Sequence, residues 1–246
     1  MPTFYHSSSV QGVIVARNMS LGNGWKVEPY NRQKVTGNCG GYGVGSWLET
    51  LMFETIARGD HYLYLDNAYF IKDRKAFYRA SWDKYHYRLD RDWPEDRLKP
   101  KRIKLNPWNK DGSFILLCEQ TPFWCKKLGW VDWAETTTKI LRKYTDRPIK
   151  VRPKVADGTL IDSLKGAWAV VMPASNAGVD AAIAGVPVFS TYPSACSDIG
   201  LEDLSKIETP IYPDNRWEWL KGLSYNQWTL KELKSGLAWD MLKGMI

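Results

Sequence analysis

The residues best suited to hold a charged ligand lie in the stretch from Ile149 to Pro187. Arg152 and Lys154 end one predicted strand, and Ser175 and Asn176 open a predicted helix directly after the next strand. In an open parallel sheet, ligands bind beyond the carboxyl ends of the strands. A helix N-terminus there adds backbone N–H donors and the positive end of the helix dipole. This arrangement predicts a site for the phosphate groups of a ligand.

A carboxylate in the same predicted helix extends this site toward a nucleotide. Asp180 follows Ser175 by about one and a half helical turns, where it could accept hydrogen bonds from ribose hydroxyls. Gly178 would let a ligand approach the backbone closely. The alternative is a packed βαβ unit in which Gly and Ala only allow close contact between helix and sheet. The residues alone leave both interpretations open.

A glycine-rich stretch, GNCGGYGVGS from Gly37 to Ser46, is the second candidate site. Gly41 and Gly43 give a flexible backbone ahead of a helix that an S-x-x-E capping box, Ser46 to Glu49, would start. Such a loop suits an oxyanion or a sugar phosphate. It contains no GK[ST] sequence, so it is not a P-loop. An ordinary glycine turn is the alternative.

Positive charge is concentrated in residues 72–104, which hold twelve Lys or Arg against six Asp or Glu. Aromatic residues are interleaved with these charges. Cations that neutralise phosphates beside rings that stack on bases are typical of a nucleic-acid surface. The residues predicted to contact an anionic acceptor are Arg79, Lys84, Arg88, Trp82 and Tyr85. A solvated insertion whose rings pack on the core is the equally weighted alternative.

The elements that must position these residues follow an α/β pattern. Helices are predicted after the glycine stretch, over 130–144, after a cap at Thr159, and over 175–184, with a helical tail from 214 whose capping box is Thr229 and Glu232. The predicted strands are 13–17, 61–67, 114–118, 149–154, 167–173 and 186–191. Strands alternating with helices through short connections indicate mainly parallel sheets.

Composition places the chain among ordinary globular proteins, since 44% of its 246 residues are hydrophobic and 25% are charged. No apolar run is long enough to cross a bilayer, and no signal peptide is recognisable, which predicts a cytoplasmic protein. The four cysteines form no CxxC pair, so buried thiols are expected and no metal site is predicted. The absence of a G-x-S-x-G sequence argues against a serine hydrolase.

The string SNAGVDAAIAGVPV, which begins at Ser175, resembles the donor-site signature of GT-B-fold glycosyltransferases, and the whole chain looks like small phage-encoded proteins of this type. By this resemblance, Ser175 and Asn176 would hold the donor diphosphate and Asp180 the ribose. Arg152 or Lys154 would balance the phosphate charge. The family usually has Glu where Asp180 stands, and its members are usually longer.

The resemblance implies two Rossmann-like lobes with mainly parallel sheets, a compact GT-B-like arrangement with C-terminal helices. We predict an N-terminal acceptor-side lobe over 1–146, which carries the basic insertion 72–104. A C-terminal donor-nucleotide lobe with the terminal helices would cover 147–246. Asp66, at the end of the predicted strand 61–67, is the candidate general base, although it could equally be a turn residue before Asn67. Glu119, Gln120 and Asp198 follow other strands and are second-line candidates for substrate contact.

The function that follows from the resemblance is hexosyl or pentosyl transfer from a nucleotide-sugar, UDP-linked, to a hydroxyl acceptor. No separate cofactor and no metal are expected. The basic segment points to DNA with hydroxymethylated bases as the acceptor, in the host cytoplasm if the protein is phage-encoded. Two alternatives stay open. One is a non-catalytic nucleotide- or nucleic-acid-binding protein that retains the donor pocket, and the other is a glycosyltransferase acting on polysaccharide.

Overall fold

The computed structural model describes residues 2–7, 9–30, 34–43, 46–70, 76–86, 90–127 and 129–246. Its strands are β1 (Thr3–His6), β2 (Lys26–Pro29), β3 (Cys39–Tyr42), β4 (Tyr62–Asn67), β5 (Phe77–Trp82), β6 (Phe114–Cys118), β7 (Ile149–Arg152), β8 (Ala167–Met172), β9 (Val188–Ser190) and β10 (Gln227–Thr229). Its helices are α1 (Val10–Asn23), α2 (Ser46–Ala57), α3 (Pro122–Lys127), α4 (Trp133–Leu141), α5 (Leu160–Leu164), α6 (Ala177–Ile183), α7 (Arg216–Tyr225), α8 (Leu230–Ser235) and α9 (Leu237–Leu242). None of these helices is long and apolar enough to cross a lipid bilayer.

The chain forms two compact units. Unit 1 comprises Met1–Tyr87 together with Tyr225–Ile246, and unit 2 comprises Arg88–Ser224. The boundary predicted between residues 146 and 147 differs from this division, because β6 pairs with both β7 and β8 and therefore belongs with the strands that follow it. The chain also returns to unit 1 at its end, since β10 pairs with β5.

Unit 1 is built on a six-stranded sheet in the order β10-β5-β4-β3-β1-β2. The four strands β1 to β4 are parallel; at one side, β5 pairs antiparallel with β4, and β10 pairs antiparallel with β5. Alternate residues of β4 enter different cores. Leu63 and Leu65 pack in one core with Val15 of α1, whereas Tyr62 and Tyr64 pack in another with Leu51 of α2. Helices α1 and α2 therefore cover opposite faces of this sheet.

Unit 2 is built on a four-stranded parallel sheet in the order β7-β6-β8-β9. Leu117 of β6 and Val171 of β8 form one core with Trp133 of α4. The next residue of β8, Met172, points to the opposite face, where α6 packs so closely that a Cβ added to Gly178 would lie 2.2 Å from Met172 Cε. Both units are thus Rossmann-like, with helices on the two faces of a mainly parallel sheet.

Most predicted elements of unit 2 are confirmed, with ends that differ by a few residues. In unit 1 the strand predicted over 13–17 is wrong, because these residues lie inside helix α1. Ser9 caps this helix by accepting a hydrogen bond from the Gly12 amide, 3.1 Å away. The buried residues Val15 and Met19 are spaced four apart along one helix face. A short β-branched run inside an apolar helix face can be mistaken for a strand.

The glycine stretch also differs from its prediction, because Gly41 lies inside β3 rather than in a loop. A Cβ at Gly41 would lie 2.3 Å from Tyr62 Oη, so the glycine is required for packing within the sheet. Gly43 follows the strand with a φ of 77°, a left-handed conformation that glycine adopts without strain. Gly43 therefore remains a turn at the carboxyl end of β3.

Residues 72–104 do not form the single insertion that was predicted. Residues 71–75 and 87–89 lie outside the described residues, but 77–82 form β5 inside the sheet of unit 1. Trp93 and Leu98 are buried in the part of the segment that belongs to unit 2. The interleaved aromatic rings thus serve largely as core side chains.

The C-terminal tail contains the predicted capping box and one additional strand. Thr229 accepts from the Glu232 amide, and the Glu232 carboxylate accepts from the Thr229 amide at 2.8 Å, which starts α8. The preceding residues form β10 rather than a helix, because they complete the sheet beside β5.

The close approach of α1 to α8 predicts a large effect of a small substitution. Glycine to alanine inside a helix normally stabilises it by up to about 1 kcal/mol. A Cβ at Gly22 in α1, however, would lie 2.0 Å from Leu233 O, so we expect Gly22→Ala to destabilise the protein by roughly 1–3 kcal/mol in urea unfolding. At Gly244 an added Cβ meets nothing within 4 Å, and Gly244→Ala should change stability by less than about 0.5 kcal/mol. Equal effects of the two substitutions would contradict the close approach.

Candidate functional site

The topology of unit 2 singles out the carboxyl ends of β6 and β8. These strands are neighbours, yet the helices that follow them, α4 and α6, pack on opposite faces of the sheet. Such a switch point opens a crevice in which α/β proteins bind their ligands. The two strand ends are linked, because the Gln120 side-chain amide donates a hydrogen bond to Ala174 O. Gln120 was a second-line candidate from the sequence, and the structure places it at this crevice.

The residues of the predicted donor signature lie at this same edge. Ser175 follows β8, and its hydroxyl accepts a hydrogen bond from the Ala177 amide at 3.3 Å. Asn176 is the N-cap residue of α6, but its side chain makes no capping hydrogen bond. The structure therefore brings Ser175 and Asn176 to the start of α6 beside the switch point, as the sequence predicted.

Asp180 is more deeply buried than expected for a residue that binds ribose, since only 3% of it is exposed. Asp180 and Asp198 both lie near Cys196. The pKa of the Cys196 thiol is raised first by burial and then by the negative charges of these two aspartates. Cys196 itself is fully buried, as is expected for a structural thiol that does not react. Asp180 and Asp198 therefore lie on the two sides of Cys196 in the chain but close to the same thiol in the fold.

Gly178 has a packing role rather than the ligand-approach role predicted for it. An added Cβ would lie 2.9 Å from Cys196 Sγ, in addition to its contact with Met172. The glycine lets α6 approach the sheet, which is the alternative that the sequence had left open.

The two predicted phosphate-binding cations lie at the end of β7. Arg152 donates to Ser163 Oγ at 2.9 Å and to Gly158 O at 3.0 Å, so it holds the loop between β7 and α5. Lys154 is exposed. Burial raises the pKa of Cys118, the last residue of β6, to about 12, and the charges of Arg152 and Lys154 oppose this rise. Both cations therefore lie close to the carboxyl end of β6.

Arg152 also lines a cavity of about 260 Å³ on one face of the β6–β7 pair. Phe114, Leu116, Lys150 and Lys165 also line this cavity. Lys165 is paired with Asp162 at 2.7 Å, so Lys150 and Arg152 give the cavity its excess of positive charge.

In unit 1, Asp66 is an ion-pair partner rather than an isolated carboxylate. Its Oδ2 atom accepts hydrogen bonds from Arg79 Nη2 and Tyr64 Oη, each at 2.8 Å, and Oδ1 accepts from the Asn67 amide at 2.8 Å. Burial lowers the pKa of Arg79, but Asp66 and two tyrosines raise it, with a net rise. Arg79 is therefore charged at neutral pH and forms an ion pair with Asp66.

The predicted acceptor surface is not formed as expected. Arg79 is buried in the ion pair with Asp66. Trp82 is buried in the core, with its Nε1 donating to Leu242 O at 2.8 Å, and Tyr85 donates to Glu49 Oε1 at 2.5 Å. Lys84 is exposed, and Arg88 lies outside the described residues. Neither Arg79 nor Trp82 can stack on a base or reach a phosphate, because each side chain is enclosed by the fold of unit 1.

Sequence reasoning missed His6. Unit 1 has its own switch point between β1 and β3, whose following helices α1 and α2 cover opposite faces. His6 is the last residue of β1, and its Nδ1 lies 2.8 Å from Ser7 O. The four-residue strand TFYH at the N-terminus gave too short an apolar pattern to be recognised.

Sequence reasoning also missed an aromatic pair in unit 2. Trp130, just before α4, and Tyr192, just after β9, have ring centroids 5.0 Å apart with an edge-to-face angle of 70°. The sequence signal for this pair was that both residues follow predicted strands, Trp130 after β6 and Tyr192 after β9. Within the described residues, no three His, Cys, Asp or Glu side chains lie together as a metal site.

Comparison with known proteins supports the fold and does not assign a family. No protein-family model matches the sequence, and no curated protein matches it. The chain is similar in structure to Thermosulfurimonas dismutans KpsC, beta Kdo 2,7 transferase, with a TM-score of 0.53, 14% identity, and coverage of 97% of this chain and 99% of that chain. A second solved structure, Thermosulfurimonas dismutans KpsC, beta Kdo 2,4 transferase, aligns with a TM-score of 0.44, 11% identity, and coverage of 89% and 97%. The chain therefore has a GT-B-like α/β fold of two Rossmann-like units.

Proposed function

We propose that the protein is a glycosyltransferase that uses a nucleotide-activated sugar as its donor. The observation that supports this proposal is the switch point at the carboxyl ends of β6 and β8, where Ser175 and Asn176 follow β8 and where Arg152 and Lys154 lie close to Cys118, the last residue of β6. It lies in a chain whose fold matches a Kdo transferase over 97% of its length. A donor diphosphate or monophosphate at this edge would meet backbone N–H groups and positive charge.

The proposed roles follow from position. Arg152, which the β7–α5 loop holds in a defined orientation, and the exposed Lys154 would neutralise the phosphate. Ser175 and Asn176 would orient it through backbone and side-chain donors. Asp180 is proposed as the ribose partner, with the difference that this residue is buried rather than at the surface. The transferred sugar is proposed to be a UDP-linked sugar or Kdo, the latter because the structural neighbour is a Kdo transferase.

The general base is proposed to come from unit 1, where His6 and Asp66 lie at the carboxyl ends of β1 and β4, with β3 between these two strands. Asp66 already accepts three hydrogen bonds and is paired with Arg79. His6 makes its contact to Ser7 O through Nδ1, and a carbonyl oxygen can only accept, so a neutral His6 presents the lone pair of Nε2. This tautomer can accept a hydroxyl proton. We therefore place His6 ahead of Asp66.

The acceptor is proposed only as a hydroxyl compound. Hydroxymethylated DNA was suggested by the basic aromatic segment, but Arg79 and Trp82 from that segment are buried. Exposed cations such as Lys84 remain. Binding of DNA that weakens with salt would restore this acceptor, whereas binding to neither DNA nor anionic vesicles would favour a neutral saccharide.

A thermal-shift screen tests the donor proposal directly. Ligand binding to the folded state alone raises its stability by about 2.7 kcal/mol when the ligand is present at a hundred times its Kd. UDP, CMP, UDP-glucose and CMP-Kdo would each be added to the full chain, with inorganic phosphate as the control. We expect at least one nucleotide to raise Tm more than phosphate does. No rise with any nucleotide would contradict a donor site.

A further inference from the structure

The aromatic pair of Trp130 and Tyr192 lies at the carboxyl edge of the unit 2 sheet, on the α4 side of the switch point. Trp130 precedes α4, and Tyr192 follows β9, the strand next to β8. The residue before Tyr192, Thr191, donates its backbone N–H to Met172 O at 2.9 Å. Because Met172 is the last residue of β8, the pair is adjacent to the chain that leads into Ser175.

The pair is held in place from both sides. Trp133 Nε1 donates to Thr191 Oγ1 at 2.9 Å, which ties the start of α4 to the end of β9. The Trp130 amide donates to Cys125 O at 2.7 Å, and the Trp133 amide donates to Trp130 O at 3.1 Å. These hydrogen bonds fix the backbone beside each ring, as binding side chains require.

Neither ring is fully buried, although Trp130 packs against the α4 core. Tyr192 is 45% exposed, and Trp130 is half-buried beside the α4 core. The face of an aromatic ring is apolar and has a partial negative charge. It therefore attracts the weakly positive C–H groups on one face of a sugar ring. The turn that follows Tyr192 is ordered by Ser194, whose hydroxyl accepts from the Cys196 amide at 3.1 Å and contacts Ser190 Oγ at 3.2 Å. It leads to Asp198, a carboxylate of the kind that binds sugar hydroxyls.

We propose that Trp130 and Tyr192 form the subsite for the sugar ring of the donor. The proposal rests on the proposed function, because the pair lies beside the residues assigned to the donor phosphate. The two rings would supply the stacking contacts with the sugar ring. This assignment separates the sugar end of the donor from its nucleotide end within unit 2.

The test compares a nucleotide with its own sugar conjugate in titration calorimetry. Wild type and Tyr192→Ala would each be titrated with UDP and UDP-glucose, and with CMP and CMP-Kdo. We expect Tyr192→Ala to weaken the affinity for the sugar conjugate roughly three- to tenfold and to leave the affinity for the nucleotide unchanged. Tyr192→Phe, which keeps the ring, should bind both ligands as wild type does.

Tyr144→Ala is the matched control, since Tyr144 is 46% exposed and lies between α4 and the start of β7, at the opposite edge of the sheet. It should change neither affinity. Equal weakening of nucleotide and conjugate by Tyr192→Ala, or no weakening, would overturn the sugar subsite while leaving the donor proposal intact. Failure of wild type to bind any of the four ligands would overturn the proposed function and the subsite with it.

Discussion

Arg79→Met is expected to destabilise the protein by about 3 kcal/mol, because it leaves the Asp66 carboxylate without its charged partner. The Arg79 and Asp66 side chains are only 8% and 20% exposed, and their ion pair spans 2.8 Å. Breaking a buried pair typically costs about 3–5 kcal/mol. The exposure of Asp66 places the expected value at the lower end of that range. The free energy of unfolding in urea measures the effect.

Lys84→Met is the control for this prediction. Lys84 and Arg79 were both predicted as acceptor contacts, but Lys84 is exposed, so its loss should change stability by less than about 0.5 kcal/mol. Adding Asp66→Asn to Arg79→Met should recover part of the lost stability, because the unpaired charge is removed. If Arg79→Met were no more destabilising than Lys84→Met, the ion pair would not be a structural element of unit 1.

The second large effect is expected at His6. We predict that His6→Asn lowers kcat by roughly 10²- to 10⁴-fold, the usual contribution of a general base. Asparagine can still donate a hydrogen bond from the position of Nδ1 to Ser7 O, so β1 should keep its structure. It offers no basic nitrogen in place of Nε2. Nucleotide release from the donor that binds best in the thermal-shift screen gives the rate, and titration calorimetry checks that donor affinity is unchanged.

Asp66→Asn distinguishes the two base candidates. Because Asp66 supports Arg79, its substitution should lower stability together with activity, whereas His6→Asn should lower activity alone. A protein that keeps full turnover after His6→Asn but loses it after Asp66→Asn, at temperatures where both variants are folded, would assign the base to Asp66.

Much of unit 2 could be predicted from the sequence because its signals are local. The apolar runs of β6 and β8 identify buried parallel strands, and the Thr159 cap marks the start of α5 through a contact three residues along the chain. The donor signature lies within one β-α-β unit, so the position of Ser175 at a strand end follows from short-range order alone. These features depend on neighbours along the chain.

The features that the sequence alone did not determine depend on residues far apart in the chain. Arg79 is opposite Asp66 only because β5 pairs antiparallel with β4 in that register, and this pairing turns a predicted surface cation into a buried partner. Trp130 meets Tyr192 only when β9 joins the sheet beside β8. The two switch points likewise depend on strand order, which the apolar periodicity of a single strand does not encode. Local patterns thus determined the α/β class and the position of Ser175 and Asn176 at the start of a helix, whereas non-local pairing decided which charged and aromatic side chains remain available to a ligand.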